Sequence, residues 1–212
     1  YEKIQEKLEQ VNTELIYMKE HYSFEKIGGT LDDAVGECYD KVARVLGLAY
    51  PGGAKVDKLA HEGIDSYELP LPLNDESYNF SFSGIKSAVI NLNHNEKQKG
   101  FEINKENLAC SFQNRIVTIL TKKALKALKE YNVKNLIIAG GVAANMGLRE
   151  SITKMCEENN IELTIPRTLY CTDNAAMIGA AAYYAYKKNI EADLNLNARA
   201  NIDLKEDYKC EM

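Results

Sequence analysis

The apolar positions change period along the chain, and each change marks an element. Residues 1–12 are charged and place Ile4, Leu8 and Val11 on one side of a helix start. Thr13–Lys19 and Phe24–Gly28 read as two short strands joined at His21-Tyr22-Ser23, a hairpin. Thr30, with Asp33 three residues on, reads as a capped helix start; Ala34, Val35, Cys38, Val42, Val45 and Leu46 then follow near helical spacing until Gly47 and Tyr50-Pro51-Gly52-Gly53. A second helix is predicted over Val56–Glu62, an irregular arm with Pro70 and Pro72 over 68–84, a short helix from Ile85, and a polar loop over 93–105. The long helix, about Lys105–Tyr131, carries Leu108, Phe112, Ile116, Ile119, Leu120 and Leu128 on one face. Asn135–Ala139 is a continuous apolar run, the signature of a parallel strand buried on both faces. Gly140-Gly141 turn the chain into a helix ending near Asn160, Ile161–Ile165 is a strand, and Asp173–Lys188 an alanine-rich helix. Helix–strand–helix–strand–helix is an α/β order.

Composition narrows the classes. With 45% hydrophobic and 27% charged residues in 212, an ordinary core is expected rather than disorder. A net charge of −5 excludes a surface coated with basic charge, so nucleic acid would be met by a local patch or a partner. Cys38, Cys110, Cys156, Cys171 and Cys210 are scattered and odd in number, which disfavours a disulfide framework and fits a reducing compartment. The apolar run Ala175–Tyr186 is too short for a bilayer, and the charged stretch Tyr1–Val11 does not read as a signal peptide, so a cytoplasmic protein is expected.

The strongest candidate site is Leu136–Asn145, LIIAGGVAAN, a strand ending in Gly140 and Gly141 and entering a helix. Glycines admit a ligand close to the backbone, and a helix start offers free N–H groups; Asn145 then contacts a ribose or base, or is only an N-cap. Asp173 in YCTDN is read either as the N-cap of the last helix or as a carboxylate ligand for a metal or metal-bound phosphate. Asp33, Glu37, Asp40 and Arg44 share one helix face, which runs into Gly52-Gly53 and then Asp57, a second glycine turn flanked by carboxylates. Lys122, Lys126 and Lys129 form a basic stripe that faces water or a tRNA backbone. His21, His61 and His94 lack ligand spacing.

Four ordered segments, TLDDAVGECYDKVARVLGLAYPGG (30–53), NFSFSGIKSAV (79–89), IIAGGVAAN (137–145) and YCTDNAAMIG (170–179), make the chain resemble the tRNA threonylcarbamoyl transferase family (TsaD) from about Thr13 onward. The resemblance implies an actin-like ATPase fold of two lobes around a metal and nucleotide cleft. It also implies transfer of threonylcarbamoyl from threonylcarbamoyl-adenylate to the exocyclic amine of an anticodon-loop adenosine. By motif it makes Asp40, Gly53, Asp57, Gly140, Gly141 and Asn145 substrate- or nucleotide-binding residues and Asp173 a ligand for one iron or zinc ion. Expected ligands are ATP or threonylcarbamoyl-adenylate. Expected partners are tRNA, other subunits of the transfer complex, and a homodimer or a separate N-terminal lobe, with no membrane.

The departures shape the expectation. The family's pair of metal-binding histidines four residues apart has no counterpart, and Gln10-Val11-Asn12 stand where the family has a Ser-Gly-Gly-His phosphate loop. The expectation is therefore a truncated member lacking the N-terminal lobe: a non-matching segment at 1–12, then a C-terminal lobe at 13–212 with an inserted arm at about 54–104. The alternative is a non-catalytic nucleotide-binding or partner-interaction module of the same descent. A peptidase lacks a nucleophile and a complete zinc site, and a sugar or acetate kinase is set aside by NFSFSGIKS.

Overall fold

A computed structural model describes residues 13–21 and 23–190; the helix expected over residues 1–12 lies outside them. Two strands, β1 (Glu14–Glu20) and β2 (Ser23–Gly29), form the expected antiparallel hairpin, pairing Glu14 with Gly29 and Glu20 with Ser23. A single parallel bridge, Thr30 to Phe80, ties the strand exit to the arm.

The first helix, α1, runs Val35–Val45, later than the capped start expected at Thr30. Its N-cap is Ala34, with no side-chain capping bond. The Thr30 hydroxyl donates to the Asp33 carbonyl instead, and the Asp33 carboxylate reaches Lys41 and Lys86. Cys38 and Val42 of α1 are fully buried and Val35 and Leu46 nearly so, as their spacing predicts. The second helix, α2, spans Gly53–His61, starting three residues early because Gly52 and Gly53 already turn into it.

The third helix, α3, spans Ser83–Gln98, so the predicted polar loop begins only after it. Asn93–Gln98 are polar because that end of the helix faces water, not because the chain leaves helical geometry. The fourth, α4, is the 26-residue helix Lys105–Glu130, with Asn104 capping the Asn107 N–H at 2.7 Å. At 1.5 Å rise per residue it is about 39 Å long and is the spine of the molecule. Leu108, Phe112, Ile116 and Ile119 are buried against α1, α2 and α3. Toward its C-terminal end, Val117 and Leu128 face a second cluster with Leu148, Ile152 and Met155. Burial of one Phe112-sized side chain contributes about 2–3 kcal/mol.

The strand β3 (Asn135–Ile137) pairs in parallel with β4 (Glu162–Thr164), joined by α5 (Met146–Asn159), which packs on α4. The doubly buried strand predicted from NLIIA is not observed: Ile137 is 58% exposed, because β3 has one strand neighbour and a helix on only one side. The last helix, α6 (Ala175–Lys187), buries no residue, although it is apolar on most sides. His21 stacks on its Tyr184 at 3.9 Å. Among the described residues no helix is long and apolar enough to cross a membrane.

Candidate nucleotide site

A parallel pair joined by a helix places both strand exits at the same end. From β3 the chain passes through Gly140-Gly141 and a short 3-10 turn, 141–144, into α5. Gly140 adopts φ +88°, open to glycine at little cost, and a Cβ on Gly140 or Gly141 would meet nothing within 4 Å. The glycine turn is thus an open, unobstructed backbone surface.

The start of α5 is not open. Asn145 caps it, its Oδ1 accepting the Leu148 N–H at 2.8 Å. The buried Asp57 carboxylate, from α2, accepts Met146 N–H on Oδ2 at 2.8 Å and Gly147 N–H on Oδ1 at 3.4 Å. The free N–H groups expected at this helix start are therefore spent on the protein's own side chains. Asp57 and Asn145 are brought to the same helix start, and both serve as helix caps in this arrangement.

Gln113 of α4 joins them. Its Nε2 donates to Asp57 Oδ1 at 2.9 Å, and its Oε1 accepts from Asn145 Nδ2 at 2.9 Å and from the Tyr39 hydroxyl at 3.3 Å. Burial, reinforced by the nearby Asp57 charge, pushes the Tyr39 hydroxyl well above its usual range, so it remains a donor. Behind Asp57, His61 Nδ1 lies 2.7 Å from the Asp57 carbonyl, which raises its pKa. Neither Gln113 nor Tyr39 was singled out by sequence. The available signal was a lone glutamine on the apolar stripe of α4, between Phe112 and Ile116.

Asp40 and Gly53 are also brought together. Asp40 Oδ1 accepts the Gly52 N–H at 2.7 Å and the Gly53 N–H at 3.2 Å, fixing the turn before α2. A Cβ on Gly52 would lie 2.2 Å from Ala43 Cβ, so glycine is required there by close approach.

Asp173 does not cap α6. The cap is Asn174, whose Oδ1 accepts the Met177 N–H at 2.9 Å, because Asn174 is the residue adjoining the first helical turn. Asp173 is exposed and, among the described residues, its carboxylate enters no hydrogen bond or ion pair. Its loop is tied to the glycine turn by Arg149 of α5. Arg149 donates from Nε to the Ala143 carbonyl at 2.6 Å and from Nη2 to the Pro166 carbonyl at 2.7 Å and Cys171 Sγ at 3.4 Å. One guanidinium thereby holds both strand exits, a role no sequence signal announced.

The NFSFSG segment engages TLDD. Asp32 accepts from the Phe82 N–H at 2.7 Å and from the Ser83 hydroxyl at 2.6 Å, capping α3 from outside the helix. Partial burial opposes its charge, but the hydrogen bonds from Ser81, Ser83 and Phe82 prevail and lower its pKa. The basic stripe is largely consumed: Lys122 bonds Asn74, and Lys126 pairs with Glu76. A groove of about 550 Å³ between α2, α4 and α5 is lined by Gln113 and Gly147 among others, but by none of the predicted ligand residues.

The donor set does not fit a resident metal within the described residues. They contain no group of three or more His, Cys, Asp or Glu placed to hold an ion, and Asp173 offers a single carboxylate.

The profile of one family, described as TsaD, tRNA N6-adenosine threonylcarbamoyltransferase, matches residues 11–180. Similar relatives include proteins of that name from Staphylococcus aureus strains JH9 and Newman. Each is 59% identical over 201 residues, covering 94% of this chain and 59% of the relative. The chain therefore spans about three-fifths of their length. Among solved structures, HypF of T. kodakarensis aligns with TM-score 0.56 at 20% identity over 79% of this chain and 21% of that one. Full-length HypF in its phosphate- and nucleotide-bound form gives 0.52 at 20% over 73% and 20%. These show the shared α/β fold alone. Ordered motifs, the joined strand exits and a match across most of the sequence lead to one assignment: the chain belongs to the tRNA N6-adenosine threonylcarbamoyltransferase family.

Proposed function

We propose that the chain supplies the adenylate-holding lobe of a tRNA N6-adenosine threonylcarbamoyltransferase. The observation that carries this reading is the joining of the GGVAAN and CTDN exits at one end of β3–β4 by Arg149, with Asp57 and Asn145 linked beside them through Gln113. The open glycine turn suits close approach of a nucleotide, and Asp40 with Gly53 shapes the neighbouring turn. In the reaction, the exocyclic amine of the tRNA adenosine attacks the carbamoyl carbon of threonylcarbamoyl-adenylate. The bond from that carbon to the phosphate oxygen breaks, AMP leaves, and the amine gives up a proton.

The fold in this reading is the C-terminal lobe of an actin-like ATPase, with β1–β2 and β3–β4 as parts of one larger sheet. What the relatives carry beyond the span of this chain would complete that sheet and the cleft. Asp173 would give one carboxylate to an iron or zinc ion whose other ligands come from that same remainder. Partners in this reading are tRNA and the other subunits of the transfer complex.

The test is reconstitution. The chain is combined with the separately produced remainder of the Staphylococcus aureus relative, and threonylcarbamoyladenosine in tRNA is measured by mass spectrometry. The modified nucleoside should appear only with both parts present and should vanish with Asp173→Ala. Its absence with both parts soluble and associated would count against transferase function and favour a partner-interaction module.

A further inference from the structure

The buried amide of Gln113 stands between the two residues that the proposed reading assigns to the nucleotide, and its orientation is forced from both ends. At one end the Asp57 carboxylate can only accept, so Gln113 must present its NH2 there. At the other, the Leu148 N–H fixes Asn145 Oδ1 toward α5, so Asn145 must present its NH2 to Gln113 Oε1. Donation therefore runs one way, from Leu148 through Asn145 and Gln113 to Asp57. Asp57 in turn closes the circuit on the Met146 N–H of the same helix turn. Gln113 is 4% exposed, and among the described residues no buried side-chain nitrogen or oxygen of this network lacks a partner.

We infer that Gln113 is a positioning residue for nucleotide binding, setting the Asp57 carboxylate and the Asn145 amide as one unit through the two ends of its side chain. This rests on the nucleotide reading above. A packing glutamine that merely filled space would need only length and volume. The circuit needs a donor toward α2 and an acceptor toward α5. Close approach at the site adds to this: a Cβ on Gly147 would come within 2.5 Å of Gln113 Nε2, so the backbone of α5 packs directly on the amide and a side chain there would displace it.

The direction of donation supplies the test. In Gln113→Glu the shape is kept. An ionised carboxylate would face Asp57 with no proton to donate, whereas the protonated acid restores a donor to Asp57 and an acceptor for Asn145. The titratable or charged groups facing this position are Tyr39 from α1 and Asp57 and His61 from α2, with Glu150 of α5 beyond His61. Burial beside Asp57 raises the pKa of the introduced acid. ATP binding is measured by calorimetry on the 212-residue chain, wild type and variant, between pH 8.5 and pH 6, with a thermal melt at each pH. The expected result, relative to wild type at the same pH, is a Kd raised about tenfold at pH 8.5, the scale of one lost hydrogen bond to a charged group, and restored toward unity at pH 6.

An unchanged ratio at every pH would overturn the positioning role, as would a loss that does not recover. If wild type itself does not bind ATP, the nucleotide reading fails and this inference with it. If the variant does not fold at pH 8.5, Gln113→Met decides. A cooperative melt with about tenfold weaker binding supports the role, and wild-type affinity overturns it.

Discussion

Asp57→Asn probes the centre of the network with the smallest change of shape. The carboxylate accepts from Gln113 Nε2 at 2.9 Å and from Met146 N–H at 2.8 Å, and it sits against the first turn of α5. An amide in its place can accept at one end only. If its NH2 faces Met146, two donors oppose across a fixed backbone N–H. If it faces Gln113, that amide must turn over and confront the Asn145 NH2, which cannot turn without releasing Leu148. Either way one charge-assisted hydrogen bond is lost, about 1.5–3 kcal/mol. Removing a negative charge from a helix N-terminus costs about 0.5–1 kcal/mol more. The expected destabilisation is about 2–4 kcal/mol in urea denaturation at pH 7.5, with an unchanged m-value. A loss under about 0.5 kcal/mol would refute the view that Asp57 is a structural cap of α5.

Arg149→Lys keeps the charge, but a compact ammonium cannot reach the Ala143 and Pro166 carbonyls in the same fixed fork. Amide hydrogen exchange should accelerate over residues 167–171 with a global loss of about 1–2 kcal/mol; unchanged exchange would contradict the clamp. The hydrogen bond from Lys123 holds Asp75 at about 2, below its ordinary 3.8. A lowered folded-state pKa stabilises above the ordinary value, and the contribution is lost as pH falls through 4 toward 2. Asp75→Asn should therefore melt below wild type at pH 6 and approach it as pH falls to about 2, and curves that stay parallel would dismiss the linkage. Mass-mapped alkylation at pH 8 should label the half-buried Cys110 before Cys38, whose thiol burial pushes up to about 12; earlier labelling of Cys38 would show that α1 opens readily.

The helices were legible because their signals are local. The α4 stripe of Leu108, Phe112, Ile116 and Ile119 repeats at the helical period and is buried as that period requires. The hairpin followed from two β-rich runs around a turn. What failed depended on neighbours far along the chain. The apolar run at β3 says what the strand prefers, not whether a second strand lies beside it. Asp33 has capping spacing from Thr30, yet Lys41 and Lys86 claim it. The exit loops and their glycines were legible from strand–Gly–Gly–helix order. Gln113 and Arg149 were not, because their partners lie on α2, α5 and a distant loop, at separations no periodicity encodes. For Asp173, position alone left a cap and a carboxylate ligand both open, and the cap is the neighbouring Asn174 because the helix begins one residue later than the spacing suggests.

The exposed apolar character of α6 bears on how the chain behaves in a tube. Met177, Ile178, Tyr183 and Tyr186 are 44%, 63%, 56% and 71% exposed, a sticky surface on a protein whose mutual repulsion comes from a net charge of only −5. Colloidal stability then follows titration: as the solution is acidified toward the isoelectric point near 5.4, repulsion vanishes while the apolar attraction remains. Light scattering should rise steeply there and recede above pH 7, and added salt, which screens the same repulsion, should shift that rise to higher pH.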